Sequence, residues 1–219
     1  MIVAGCDVWK GQWVVVVLED GKFSRGFIAP AFADALANLE DASVIGVDIP
    51  IGLPETGIRR ECDVLAREFV GVRRNSVFFT PSAELLACES AAEANKLALR
   101  LGIKGVSAQT FALKKQIFAV QPFAESDERI FEVHPEVSFR AAYGEDLVWP
   151  KNSWNGQMLR QGILRGLGVK IPQIDSSFGN AEPADVLDAA IVAWSAERIS
   201  VSAAKSLTSL KMRISSIRF

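Results

Sequence analysis

The sequence predicts an α/β fold, a mixed sheet of five strands flanked by helices, and three observations carry that prediction. Residues 1–28 read as three short strands separated by tight turns. The run Ser43 to Pro54 (Ser-Val-Ile-Gly-Val-Asp-Ile-Pro-Ile-Gly-Leu-Pro) is nearly all apolar and rich in β-branched residues, as a strand covered on both faces should be. A short helix falls between the third strand and this fourth one. Such a crossover allows the fourth strand to lie parallel to the first.

Taken in order, Ile2 to Val8 is the first strand and carries Cys6-Asp7 at its end. Trp9 to Gln12 turns the chain, and Trp13 to Leu18 returns it. Asp20-Gly21 marks the next turn, before a third strand from Phe23 to Ile28. Phe32 to Leu39 is the crossover helix. The fourth strand, Val44 to Asp48, ends where Ile49 is held extended by Pro50, and Gly52 and Pro54 then turn the chain away. A helical insertion of about residues 55–128 follows. It contains an amphipathic helix from Arg59 to Val70, then a loop or extended piece from Arg73 to Phe78. A capping box at Ser90–Glu93 opens a helix that stops at Gly102, and another helix runs from Ser107 to Ala119. Arg129 to His134 is the fifth strand, with Glu132 inside it and Pro135 as its stop. Helices from Gly156 to Leu167 and from Pro183 to Ser200 close the fold, the last with proline at its start. The tail, residues 201–219, carries Lys205, Lys211, Arg213 and Arg218 and no acid. Its Leu210 to Ile217 part is a candidate edge strand.

Bulk properties narrow the function. The 219 residues suit one domain, 1–219, and a hydrophobic content of 49% supports a substantial core. The net charge of −2 argues against a general polyanion binder, so any nucleic-acid contact has to come from a local basic patch. The N-terminus lacks the pattern of a signal peptide, and no apolar run is long enough to span a bilayer, so no membrane partner is expected. Three cysteines without a close pair (Cys6, Cys62, Cys88) point to a reducing, cytoplasmic setting rather than a disulfide framework.

The chemistry is in the acids. A bare buried carboxylate costs several kcal/mol, so Asp48 at a strand end needs a proton, an ion pair or a metal. If strands one and four are parallel neighbours, Asp7 and Asp48 lie at the same sheet end, where ligand sites in such sheets occur. The last helix adds Asp185 and Asp188, spaced i, i+3 on one face. The residues after them, Ala189 to Trp194, are apolar, so the helix is buried and its acids face the sheet end. A divalent cation relieves the resulting repulsion. Hard oxygen ligands without a histidine cluster suit Mg²⁺ or Mn²⁺. Four carboxylates can hold two ions roughly 3.5–4 Å apart, the arrangement used for phosphodiester hydrolysis.

Several of these pieces, in order along nearly the whole chain, resemble the family called domain of unknown function 429 (DUF429), whose members are regarded as ribonuclease H-like nucleases. They are Gly5-Cys6-Asp7 with Trp13, Gly46 through Pro54, Arg59 through Arg67 with Cys62-Asp63, Ser76-Val77-Phe78 with Pro81, Glu132 through Glu136, and Asp185 through Ala189. The resemblance implies a ribonuclease H-like fold with strand order 3-2-1-4-5 and Asp7, Asp48 and Asp188 as metal ligands. The Asp185/Asp188 pair is also similar to the last helix of Holliday-junction resolvases. Two positions depart from the family pattern: Asn152, where a second lysine is expected after Lys151, and Arg213, where an acid is expected.

The expected site is therefore catalytic Asp7, Asp48, Glu132, Asp185 and Asp188, with Asp7, Asp48, Asp185 and Asp188 on the metal. Arg73, Arg74, Lys114, Lys115 and Lys151 would bind substrate. Each has a plainer reading: strand-end aspartates cap turns, Asp185 complements a helix dipole, Glu132 pairs with an arginine across the sheet, and lysines line a solvated face. His134, the single histidine, reads more readily as structural than catalytic. The leading function is a metal-dependent nuclease acting on RNA, DNA or a hybrid, with homodimerisation left open. A nucleotide phosphohydrolase or phosphotransferase on the same fold is the rival enzyme, disfavoured because neither GxxxxGK[ST] nor GxGxxG occurs. A non-catalytic nucleic-acid or protein binding module is the third alternative. Serine hydrolase chemistry has no GxSxG to support it.

Overall fold

In a computed structural model that describes residues 1–208 and 214–219, strands β1 (Ile2–Trp9), β2 (Gln12–Glu19), β3 (Lys22–Ala29), β4 (Val44–Val47) and β5 (Ile130–Glu132) form one sheet in the order β3-β2-β1-β4-β5. The β1–β2–β3 meander is antiparallel, whereas β4 and β5 run parallel to β1. This is the α/β sheet and the strand order expected from the sequence. Helix α1 (Phe32–Ala37) makes the crossover from β3 to β4. The turns follow from composition: Gly11 and Gly21 take positive φ, each after a residue that does the same, Lys10 and Asp20.

Period-two alternation sends the strands' side chains into two cores. Ala4, Cys6, Val15, Val17, Ile45, Val47 and Ile130 pack on one face, against Phe32 and the insertion. Val3, Val14, Val16, Leu18 and Val44 pack on the other, against the long helix at Pro183–Ser200. That helix lies almost on the backbone of β1 and β4. A Cβ placed on Gly5 would sit 2.2 Å from the Ala189 carbonyl, and one on Gly46 would sit 2.8 Å from Val192 Cγ1. Glycine at these two positions is what lets the helix approach so closely, and its acids ride on that approach.

The insertion between β4 and β5 contains α2 (Glu61–Phe69), a 3₁₀ helix (Gly71–Ser76), α3 (Ala83–Ala87), α4 (Ala91–Arg100), α5 (Ala108–Ala112) and α6 (Lys114–Ser126). Three details differ from the sequence prediction. Arg73 to Ser76 is helical rather than extended. The helix expected over Ser107 to Ala119 breaks at Leu113 and continues to Ser126. The α3 turn, capped by Ser82, was not anticipated.

β5 ends at Glu132, short of the His134 expected, and Pro135 starts α7 (Pro135–Tyr143), because proline at the first helical position has no N–H to lose. Helices α8 (Trp154–Gly166) and α9 (Pro183–Ser200) follow. Strands β6 (Ser206–Leu207) and β7 (Ile217–Arg218) form a two-stranded sheet, and Arg218 bridges to Val133 beside β5. Of the predicted edge strand, Ile217 is in β7, while residues 209–213, including Arg213, lie outside the described residues. Among the described residues no helix is long and apolar enough to cross a membrane. The three cysteines are free.

Candidate functional site

In the β1–β4 register Cys6 faces Val47, and the Asp48 amide donates to the Cys6 carbonyl at 2.9 Å. Asp7 and Asp48 are each one residue further on, so they stand side by side at the carboxyl ends of neighbouring parallel strands. Cys6 and Val47 point into the Phe32 core, which sends the next residues, Asp7 and Asp48, to the α9 side of the sheet. Asp188, 2% exposed on the second turn of α9, meets them there, with the half-buried Asp185 one turn nearer the helix start. All four line a cavity of about 440 Å³.

The acids are short of positive charge. Asp7 Oδ1 accepts from the Val8 amide at 2.7 Å, but Asp7 Oδ2 is buried without a donor. Lys151 Nζ lies 2.5 Å from Asp188 Oδ2 and is, among the described residues, the one ammonium lining the cavity beside these four aspartates. Burial, then the charges of Asp48 and Asp188, pushes the Asp7 carboxyl well above the usual range. Burial and then Asp188 push Asp48 up to about 8. Asp185 rises to about 6, mostly through burial. Burial works against the Lys151 ammonium, but Asp188 and Asp7 outweigh it and hold the proton more firmly than usual. Oxygen ligands, one orphaned carboxylate oxygen and unrelieved repulsion fit a divalent cation such as Mg²⁺ or Mn²⁺.

Glu132, expected among the catalytic acids, lines the same cavity but is held by an arginine. It pairs with Val47 in the β4–β5 register, one residue before Asp48, and so points to the opposite face of the sheet. There Arg60 Nη1 donates to Glu132 Oε2 and Nη2 to Glu132 Oε1, both at 2.7 Å. Arg60 Nη2 also reaches Asp63 Oδ1 at 2.5 Å. Among the described residues, Cys62, Asp63 and Glu132 are the one set of three acid or thiol residues whose ligand atoms all lie within 4.8 Å of one another. The Arg60 guanidinium already fills that cluster, and burial pushes the Cys62 thiol up to about 12, so it holds its proton. In the structure Arg60 is the counter-ion of that cluster. Glu132 Oε2 accepts from the Ile51 amide at 2.7 Å, and Arg60 Nη1 donates to the Ile51 carbonyl at 3.1 Å. Gln121 accepts from the Gly52 amide at 2.8 Å and donates to the Pro50 carbonyl at 2.9 Å. Together they fix the loop that follows Asp48.

His134 caps α7, its Nδ1 accepting from the Glu136 amide at 3.2 Å, and burial holds its pKa down. An accepting Nδ1 leaves the proton of the neutral ring on Nε2. Glu136, whose motif was noted without a role for the residue, lines the same cavity. Its Oε1 takes Arg160 Nη2 at 2.7 Å, while its Oε2 is buried without a donor. Of the five expected substrate-binding cations, Lys151 and Arg73 line the acid cavity and Arg74 lines a neighbouring one. Lys114 does not line the acid cavity. Its ammonium donates to the Cys88 carbonyl at 2.7 Å and lies over Phe111. Lys115 is exposed and also off the acid cavity.

Comparison with known proteins gives three results. No curated protein matches the chain. Among solved structures, Thermus thermophilus RuvC is similar over 94% of this chain and 99% of its own, at 14% identity and a TM-score of 0.36. The profile of the family described as "Protein of unknown function (DUF429)" matches residues 5–211, and the chain belongs to that family.

Proposed function

We propose that the chain is a metal-dependent nuclease that hydrolyses phosphodiester bonds at the Asp7–Asp48–Asp188 centre. One observation supports this reading above all: among the described residues the carboxylates at the sheet end are left under-neutralised, with Asp7 Oδ2 buried and without a donor. In this reading Asp7, Asp48 and Asp188 hold Mg²⁺ or Mn²⁺, with Asp185 contributing from the rim. A divalent cation in such a site lowers the pKa of an attacking water and offsets charge on the departing oxygen.

The chain's own groups do the rest. Water adds to phosphorus as the P–O3′ bond breaks, and the departing oxygen takes a proton. Lys151, fixed beside Asp188, is placed to offset charge on the non-bridging phosphate oxygens. Arg73 on the cavity wall offers a planar donor fork to the same oxygens. His134, held neutral, presents Nε2–H as a donor rather than a second full charge. The Arg60–Glu132–Gln121 contacts keep Asp48 in place, so the acids need little rearrangement when a cation binds.

The test is Mn²⁺-dependent cleavage of a panel of single-stranded, duplex, hybrid and branched nucleic acids. Asp48→Asn should lower the cleavage rate by about 10²–10³-fold or more, the scale of losing a group that stabilises the transition state, while the circular dichroism spectrum is unchanged. Equal cleavage by wild type and Asp48→Asn would sink the proposal.

A further inference from the structure

The acid cavity does not end at the acids. It shares Asn75 to Phe78 and Thr80 with a second cavity of about 680 Å³, so the two adjoin along that wall. The charged side chains lining this second part are Arg59, Arg67 and Lys104, with no carboxylate among them. Arg59 and Arg67 both stack on Phe79, their guanidinium carbons 4.2 and 4.8 Å from the ring centroid. Arg67 is anchored from behind by the Val77 carbonyl and the Asn75 side chain.

Arg59 and Lys104 are exposed, and among the described residues neither has a carboxylate within the 4.0 Å of an ion pair. Arg25, Arg60, Arg129, Arg140 and Arg160 are each met by an acid. Cations left unneutralised along a groove, one of them held in a fixed plane on an aromatic ring, suit a ligand that brings its own regularly spaced negative charges.

We propose that this groove holds the polynucleotide strand flanking the scissile phosphate. The substrate is then a polymer gripped on one side of the cut, not a mononucleotide or a short phosphoester. The proposal rests on the nuclease reading and assigns its substrate class. A small phosphoester would occupy the acid cavity and leave Arg59 and Lys104 unused. A strand reaches both, with Phe79 as the platform that orients the Arg59 fork toward its phosphates.

The test compares wild type with Arg59→Ala/Lys104→Ala, two exposed positions whose truncation leaves the core untouched. Binding of a fluorescent single strand of about 20 nucleotides, a length beyond typical single-strand sites, is measured in the Asp48→Asn background across a salt series. Removing two phosphate contacts should lower affinity by tenfold or more and reduce the slope of log K against log[salt] by about 1.4. In the cleaving enzyme, kcat/KM for the long strand should fall at least tenfold more than kcat/KM for a dinucleotide. If the double variant binds the long strand as wild type does, or loses activity on both substrates equally, the groove is not a strand path, even if cleavage itself stands. If wild type shows strong, salt-sensitive, length-dependent binding that the variant lacks but never cleaves, the groove proposal stands and the nuclease reading fails.

Discussion

Arg60 lies between Asp63 and Glu132 with donors 2.5–2.7 Å from both carboxylates, whereas among the described residues Asp7, Asp48, Asp185 and Asp188 have one ammonium beside them, Lys151 on Asp188. The two groups of acids line one cavity, only a strand's thickness apart. In the first, a guanidinium fork and backbone amides satisfy the charges, and the outcome is a rigid loop after Asp48. In the second, burial proceeds without enough positive charge among the described residues, and it pushes the carboxyls of Asp7, Asp48 and Asp185 up. Burying charge is affordable only with a partner. Where the chain supplies the partner, the cluster is structure; where it withholds one, the cluster is open to a cation from outside.

The sharpest way to break this contrast is to remove Arg60. Arg60→Met leaves Asp63 and Glu132 buried without their partner, which costs about 3–5 kcal/mol and lowers the melting temperature by roughly 6–20 °C for a chain of this size. The Asp48 loop loses its anchor as well, so cleavage should fall even where the fold survives. Mn²⁺ should not restore stability. If Mn²⁺ does restore it, the Cys62–Asp63–Glu132 cluster can serve as a metal site once the arginine is gone. A melting temperature within about 1 °C of wild type would show that Arg60 is not the partner those acids depend on.

A second, smaller effect separates the clusters by pH. Asp48 has its carboxyl raised from 3.8 to about 8 in the fold, and Asp7 is raised in the same direction. Raised carboxyls bind more protons folded than unfolded, so their contribution to stability is fully present below the unfolded value. It is lost as pH climbs through the folded one. The metal-free protein should therefore lose stability between about pH 5 and about pH 8. Saturating Mn²⁺ should flatten that slope by taking the place of the protons. A metal-free melting temperature that rises across this window would contradict the crowding of these acids.

How much of this was legible in the sequence depends on what each inference required. Asp7 and Asp48 could be aligned from two short strands and one crossover, and Asp188 from helical spacing on an apolar helix, all local patterns. Glu132 needed the register of β5 against β4. One residue of offset decides which face a side chain takes, and across an insertion of some seventy residues no local pattern fixes it. Pro135 was ambiguous for a different reason, because a residue that ends a strand can equally begin a helix. Lys114 and Lys115 looked like part of a basic patch when counted along the chain, but helical rotation and the Cys88 carbonyl take them away from the acids. The Arg59–Phe79–Arg67 stack joins residues from three places around a 3₁₀ turn that the sequence had suggested was a loop or extended piece. Nothing in the spacing of those residues announces it.

Lys151 supplies the smallest effect and the finest distinction. Its ammonium lies on Asp188 at 2.5 Å, the position of a counter-cation for the acid cavity. If it acts as an internal stand-in for part of the metal's charge, Lys151→Met should destabilise the metal-free protein and tighten Mn²⁺ binding by about tenfold or less, the size of an interaction of about one kcal/mol. Isothermal titration gives the affinity, and the rise in melting temperature on adding Mn²⁺ should be larger for the variant than for wild type. Cleavage should fall nonetheless, since the same ammonium is the proposed partner of the phosphate oxygens. Weaker Mn²⁺ binding in Lys151→Met would reverse the assignment. Lys151 would then hold Asp188 in the geometry the cation needs, and the shortage of charge in the cavity would be greater than one ammonium accounts for.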